Sequence, residues 1–129
     1  MFLNIPSFRL TVLETRVDES TKLAETFDAI VSNPPYVLRK DLTALAPEIT
    51  LYEDLRALDG GAEGLDVILD ILRLAGRVLD PGGQVYLEVD PCHPYLLPPH
   101  LPTLHHPFII SEVLKDFAGK ERFLVLKKE

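Results

Sequence analysis

The chain of 129 residues has a single cysteine, no tryptophan and no apolar run of about 18 residues. Cys92 alone excludes an internal disulfide framework and fits a reducing compartment. The lack of a long apolar run excludes a predicted transmembrane helix, so no membrane partner is expected. Basic residues are also scarce, with 13 Lys and Arg against 20 Asp and Glu and a net charge of −7. This balance argues against direct binding of nucleic acid, which needs a large phosphate-neutralising surface.

The composition that remains is typical of one globular domain. Hydrophobic residues make up 47% of the chain and charged residues 26%, which argues against a disordered or fibrous protein. The N-terminal segment lacks the basic region and small-residue cleavage site of a secretory signal. It is also too short and too poor in Arg and Ser to indicate an organelle transit peptide.

The hydrophobic pattern predicts an α/β organisation. Leu10 to Glu14 and Phe27 to Ser32 are predicted strands. A clear amphipathic helix is predicted over about Leu65 to Leu79, with one apolar face at helical spacing: Leu65, Ile68, Leu69, Leu72, Ala75 and Leu79. Asp80 to Gly83 is predicted to form a turn that feeds a strand over Gln84 to Asp90. Helix, turn and strand form one half of a βαβ unit.

The C-terminal third combines a proline-rich segment with two strands. Six of the eleven prolines lie between Pro91 and Pro107, a density that forbids more than about one turn of helix between them. Phe108 to Lys115 and Arg122 to Lys127 are predicted strands. The segment Asp116 to Glu121 between them suits a hairpin, so the predicted ending is antiparallel.

The sequence Asn33-Pro34-Pro35-Tyr36, directly after a predicted strand, carries the main chemical signal. Ligands of open α/β sheets bind beyond the carboxyl ends of the strands. The two prolines stop the strand, fix the backbone and leave carbonyl oxygens as acceptors. The Asn33 oxygen and the Pro34 carbonyl can accept both hydrogens of an amide NH2, while Tyr36 offers an aromatic wall. Such an arrangement orients a nitrogen for alkylation; an ordinary Asn-Pro-Pro turn with a packed tyrosine is the alternative.

Other polar groups have simpler interpretations. Cys92 and four histidines could suggest zinc ligands, but their spacing matches no zinc-finger pattern, and an irregular surface loop is favoured over a metal site. Glu88 and Asp90 could be paired catalytic carboxylates, although a solvated strand end is favoured. Lys127 and Lys128 are interpreted as a charged tail.

A longer set of motifs gives a family resemblance. The strings FDAIVSNPPYV, LAPEI, YED, ALDGGAEGLD, LDPGGQVYLEVD and DFAGKERFLVLKK resemble the HemK/PrmC-type release-factor glutamine methyltransferases, and look closest to eukaryotic mitochondrial members. Asn-Pro-Pro-Tyr alone also marks adenine N(6) methyltransferases acting on DNA. The downstream Pro47-Glu48-Ile49 and Ala57 to Gly61 motifs narrow the resemblance to the glutamine-modifying branch, over about Arg9 to the C-terminus.

The resemblance implies a reaction and roles for four residues. S-adenosylmethionine would supply a methyl group to the side-chain amide of the Gln in a release factor's Gly-Gly-Gln tripeptide. Asn33 and Pro34 would be the catalytic pair that accepts from the target amide, with Asn33 also toward the cofactor. Pro35 would shape the turn and Tyr36 would pack against the substrate. The implied compartment is the mitochondrion, with the cytoplasm as the alternative.

The resemblance covers only part of the family's chain. Its fold is a seven-stranded Rossmann-like sheet whose glycine-rich cofactor loop follows the first strand, yet all seven glycines here lie at Gly60 or later. Residues 1–129 are therefore predicted to be the C-terminal portion of one methyltransferase domain, an incomplete α/β fold without the cofactor-loop half and the N-terminal helical domain. Arg16 stands where relatives often place an Asp near adenine. This form is expected to be inactive alone; the alternatives are an adenine N(6)-methyltransferase-related chain or a non-catalytic remnant.

Overall fold

The computed structural model describes residues 10–12, 17, 21–34 and 64–129. The described helices and strands follow one another as β1 (Phe27–Ser32), α1 (Asp66–Val78), β2 (Leu79–Glu88), α2 (His93–Leu96), a 3-10 helix (Pro98–Thr103), β3 (Phe108–Lys115) and β4 (Glu121–Lys128). The predicted strand at Phe27–Ser32 and the two C-terminal strands are confirmed, and the predicted helix differs by one residue at each end. None of the described helices is long and apolar enough to cross a membrane.

The four strands form one mixed sheet in the order β1-β2-β4-β3. β1 and β2 are parallel, with Ser32 opposite Leu87. β4 is antiparallel to β2, and β3 is antiparallel to β4, which confirms the predicted antiparallel ending. Because antiparallel neighbours reverse direction, the ends of β1, β2 and β3 and the start of β4 all lie at the same edge of the sheet.

One face of the sheet packs against α1 and builds the core. Val85 and Leu87 of β2 and Leu124 and Leu126 of β4 are buried on this face, since residues alternate between the two faces of a strand. The predicted apolar stripe of α1 joins them, with Leu69 only half-buried. Burial extends beyond that stripe to Ile71, Leu74 and Val78. Each fully buried aliphatic side chain contributes about 1.5–3 kcal/mol, so this layer dominates the packing of the described residues.

The proline-rich segment differs from the predicted irregular surface loop. It forms α2 and the 3-10 helix, and it places Leu97 and His93 in the interior with no exposed surface. Leu96, Leu101 and Leu104 pack against the core while partly buried. Proline fixes φ near the helical value, so it is tolerated in the first turn of such short helices.

The junction between α1 and β2 also differs from its prediction. Asp80 to Gly83 was predicted as a turn before the strand, whereas β2 begins at Leu79. The pairing with β1 is interrupted there: Phe27 is opposite Leu79, and the next pair joins Ala29 to Gln84. Gly82 has φ +85°, a conformation that glycine adopts without steric cost. The turn residues therefore form a bulge within the strand.

Two further sequence interpretations need correction. Leu10, Thr11 and Val12 are not in a strand, and Leu13 and Glu14, the rest of that prediction, lie outside the described residues. Lys128 is not simply a charged tail, because its Nζ donates to Gly76 O at 2.9 Å and to Leu79 O at 2.7 Å. It thereby satisfies carbonyls at the C-terminal end of α1 that have no partner within the helix.

Candidate functional site

The candidate site lies at the carboxyl ends of the parallel strands β1 and β2. Asn33 is the first residue after β1 and is exposed, while Pro34 is buried. The pair formed by Ser32 and Leu87 is the last between the two strands, so Asn33 lies beside the end of β2. Pro35 and Tyr36 lie outside the described residues. The predicted placement of Asn33 at a strand end is confirmed.

The segment after β2 is fixed by a compact hydrogen-bonded turn. The Asp90 carboxylate accepts from the backbone N–H of Cys92 at 3.0 Å, and the Asp90 N–H donates to His93 Nδ1 at 3.1 Å. His93 N–H donates back to the Asp90 carbonyl at 3.0 Å, and its side chain is completely buried. This Asx turn starts α2 and holds the backbone close to Asn33.

Electrostatics show that Asp90 is committed to this turn. Burial alone raises the pKa of Asp90, but the hydrogen bonds from Cys92 and the influence of His93 and Arg122 outweigh it and lower the pKa. The carboxylate is therefore ionised at neutral pH and occupied as an acceptor. Asp90 is only half-buried just after the end of β2, and its carboxylate accepts within the turn, whereas the catalytic pair with Glu88 stays an untested alternative.

A second structured turn lies at the same edge, at the tip of the β3–β4 hairpin. The Asp116 carboxylate accepts from the N–H of Ala118 at 2.8 Å and of Lys120 at 3.0 Å, and from Arg122 Nε at 3.3 Å. The Lys120 hydrogen bond lowers the pKa of Asp116, and together with those of Ala118 and Arg122 it outweighs the opposing effect of desolvation. Sequence reasoning identified only a hairpin here; the Asp-x-x-Gly pattern was the signal for this turn.

The hairpin tip and α2 border a shallow depression. It is lined by Pro91, Tyr95, Lys115, Gly119, Lys120 and Glu121. The Tyr95 hydroxyl donates to Glu121 Oε1 at 3.4 Å across it. Arg122 joins this region to the end of β2, because its carbonyl accepts from Val89 N–H at 2.7 Å. The edge of the sheet is thus continuous from Asn33 to the hairpin.

The histidines are not gathered at one point. Within the described ranges no group of three or more His, Cys, Asp or Glu side chains is placed to hold a metal ion. His93 is an acceptor in the interior, and His105 and His106 stack edge to face with ring centroids 4.9 Å apart.

The chemistry available at the edge follows from these placements. An exposed amide at the end of a parallel strand can meet a ligand in the crevice beyond the sheet. Its oxygen can accept a hydrogen bond, and Pro34 has a carbonyl but no N–H. The arrangement can therefore accept hydrogen bonds from a ligand group such as an amide NH2, although the Asn33 amide can also donate.

Comparisons with known proteins give this site a family context. Over 102 residues the chain is 49% identical to the MTRF1L release factor glutamine methyltransferase of Homo sapiens, covering 78% of this chain and 30% of the relative. The release factor glutamine methyltransferase of Gloeobacter violaceus is 51% identical over 65 residues, covering 50% and 23%. That of Thermodesulfovibrio yellowstonii is 36% identical over 102 residues, covering 79% and 36%.

The chain also compares as follows with family models and with solved structures. No family model matches the chain. A solved structure, the E. cuniculi Mtq2–Trm112 complex responsible for methylation of the eRF1 translation termination factor, aligns with 79% of this chain and 51% of that chain. Its TM-score is 0.42 and its sequence identity is 25%.

The curated relatives share one name, and the human and Thermodesulfovibrio matches extend over more than three quarters of this chain. The chain itself spans about a third of the length of these two relatives, at 30% and 36%. Over the residues matched, this chain therefore belongs to the family of release factor glutamine methyltransferases, as the resemblance predicted.

Proposed function

We propose that this chain forms the amide-binding part of a methyltransferase that modifies release factors. The target is the side-chain amide nitrogen of the Gln in the Gly-Gly-Gln motif, and S-adenosylmethionine is the methyl donor. The observation that carries the proposal is the exposed Asn33 at the carboxyl end of β1, within a chain that is 49% identical to the human relative. The described sheet is then the C-terminal portion of one Rossmann-like methyltransferase domain.

Asn33 and Pro34 hold the target amide in this proposal. The Asn33 side-chain oxygen accepts one hydrogen of the amide NH2, and the Pro34 carbonyl accepts the other. Both contacts favour an orientation in which the nitrogen faces the incoming methyl group, and they stabilise the positive charge that develops on it. Pro35 shapes the turn and Tyr36 packs against the substrate. These two roles are predictions for residues beyond the described ranges.

The described residues contribute little to cofactor binding. Asn33 is the one side chain among them that we assign toward S-adenosylmethionine. The residues present therefore fit the amide and not the whole cofactor. We expect the described residues to be insufficient for methyl transfer by themselves.

The test uses a chimera in which this chain replaces the matched 102 residues of the human relative. The chimera is incubated with labelled S-adenosylmethionine and a release factor that carries Gly-Gly-Gln. We expect methylation of the Gln, and we expect Asn33→Ala to lower the rate by about 100-fold, because an aligned acceptor is lost.

Thr26→Ala is the matched control, since Thr26 is an exposed polar residue next to the opposite end of β1. It should leave the rate unchanged. A folded chimera that transfers no methyl group contradicts the proposal. Methylation of adenine in DNA would instead support the alternative family, which the net charge of −7 does not favour.

We also propose mitochondrial residence, on the resemblance to the mitochondrial members of the family. Immunofluorescence of the native protein in the cells that express it, with an antibody raised against this chain, tests this. Signal that coincides with a mitochondrial dye is expected, and an even cytoplasmic signal would contradict it.

A further inference from the structure

We propose that Tyr95 and Phe117 form a docking surface for the protein substrate, next to the amide-binding corner. The surface consists of Tyr95 on α2 and the hairpin tip from Lys115 to Lys120. The inference rests on the proposed function, because it concerns the same protein substrate. It names the surface that would contact parts of that substrate other than the reacting Gln.

The topology places this surface on the same edge as Asn33. The register runs from Ser32 to Leu87 and on to Leu124 and Val113 across the four strands. Neighbouring strands lie about 4.8 Å apart, so the hairpin tip begins roughly 10–15 Å from the end of β1. A folded substrate that presents one Gln to Asn33 would reach this far along the edge, whereas a tripeptide would not.

The two aromatic side chains are largely exposed to solvent and are not part of the core. Tyr95 is 72% exposed, and Phe117 is fully exposed at the tip of the hairpin. Aromatic anchors are enriched among the residues that dominate binding at protein interfaces. Lys115 and Lys120 line the depression beside Tyr95 and can form the polar rim of such an interface.

The backbone of the hairpin that carries Phe117 is held in place before any partner binds. The hairpin tip is fixed by the three hydrogen bonds to the Asp116 carboxylate and by the bond from Asp116 N–H to the Lys120 carbonyl at 2.8 Å. Tyr95 is carried by α2, and its hydroxyl makes only a long hydrogen bond to Glu121, at 3.4 Å. Preorganised groups lose little conformational entropy on binding, so exposed aromatics on such a frame suit recognition.

A protein is the occupant that the surface favours. The edge of the sheet is continuous from Asn33 through Val89 and Arg122 to Asp116. A protein substrate bound at Asn33 can therefore also contact the hairpin tip. Two lysines among acidic neighbours on a chain of charge −7 do not form a track for nucleic acid.

The experiment measures binding of an intact release factor to the chimera that carries this chain, by biolayer interferometry. We expect Tyr95→Ser combined with Phe117→Ser to weaken binding by about tenfold or more, as for the loss of hot-spot residues. Tyr95→Phe keeps the ring and should bind as the unmodified chimera does. Ile109→Ser is the control, because Ile109 is 45% exposed but lies at the other end of β3. Circular dichroism melts verify that the variants fold.

The outcomes separate the two proposals. Unchanged binding by the double variant of the chimera, or no binding by the unmodified chimera, overturns the docking surface. In the chimera, the double variant should raise KM for the intact release factor and leave a short Gly-Gly-Gln peptide unaffected. If the double variant and the unmodified chimera transfer methyl groups with the same KM for the intact release factor, the docking surface alone is overturned. Weakened binding without any methyl transfer leaves the surface standing and overturns the proposed function.

Discussion

Gly76 and His106 lie so close together that one added methyl group changes their packing. A Cβ on Gly76 would lie 2.7 Å from His106 Cδ2 and 2.9 Å from its Cβ and Cγ. Alanine is ordinarily better than glycine in a helix by about 1 kcal/mol, but overpacking costs about 1–3 kcal/mol. We therefore expect Gly76→Ala to lower the free energy of unfolding in urea.

The matching control is the same change in a His106→Gly background, which removes the Cβ, Cγ and Cδ2 atoms that crowd Gly76. There the crowding is gone, so Gly76→Ala should become neutral or stabilising. Destabilisation of equal size in both backgrounds would show that His106 is not the cause.

His106 also makes a pH-dependent contribution to stability. Burial lowers its pKa, and the positive charges of Lys128, His105 and Arg77 lower it further. In the unfolded chain His106 has the ordinary histidine pKa of about 6.5. The folded chain therefore takes up this proton only at a lower pH. Stability is therefore full above that value and falls as the pH drops through it toward the folded pKa.

Thermal melts between about pH 7.5 and pH 5 test this contribution. His106→Gln should reduce the loss of melting temperature on acidification, while His105→Gln, at an exposed neighbour, should retain most of it. A pH profile unaltered by His106→Gln would contradict the assignment.

At the scale of elements, Lys128 connects the end of β4 to the end of α1. Its two hydrogen bonds to Gly76 O and Leu79 O place a positive charge at the negative end of the helix dipole. Lys128→Met keeps the apolar stem but loses both bonds and should cost about 1–2 kcal/mol in urea unfolding. Lys127→Met, at the exposed neighbour on the same strand, should change stability by less than about 0.5 kcal/mol.

At the scale of the molecule, the sheet face opposite α1 carries exposed apolar side chains among polar ones such as Gln84, Glu88 and Lys127. Five exposed side chains share it by register: Val31, Tyr86, Ile109, Leu114 and Phe123. Val31 is 80% exposed on β1, a strand at the end of the described sheet. Contiguous apolar surface and unpaired strand edges favour association, so we expect this chain to aggregate or to fold only partly when expressed alone.

Sedimentation velocity over a range of concentrations tests this expectation. Val31→Lys should reduce association, because a charge on an edge strand opposes pairing, whereas Val12→Lys, outside the sheet, should not. A soluble monomer with a cooperative melt would contradict the prediction.

The strands and helix that follow from local pattern were predictable from the sequence. Phe27–Ser32 ends at Asn33 because two prolines cannot continue a ladder, and α1 follows from helical spacing of its apolar residues. The family followed from motifs that extend well beyond Asn-Pro-Pro-Tyr. The placement of Asn33 at the carboxyl end of a strand was part of the same inference.

Contacts between residues far apart in the chain were decided only by the tertiary structure. Local pattern does not show that Lys128 reaches α1, or that Asp80 to Gly83 forms a bulge in β2 rather than a separate turn. Nor does it show that a proline-rich segment buries His93 and Leu97. Sequence spacing governs which residues share a face of one element, whereas burial and hydrogen bonding depend on which elements meet.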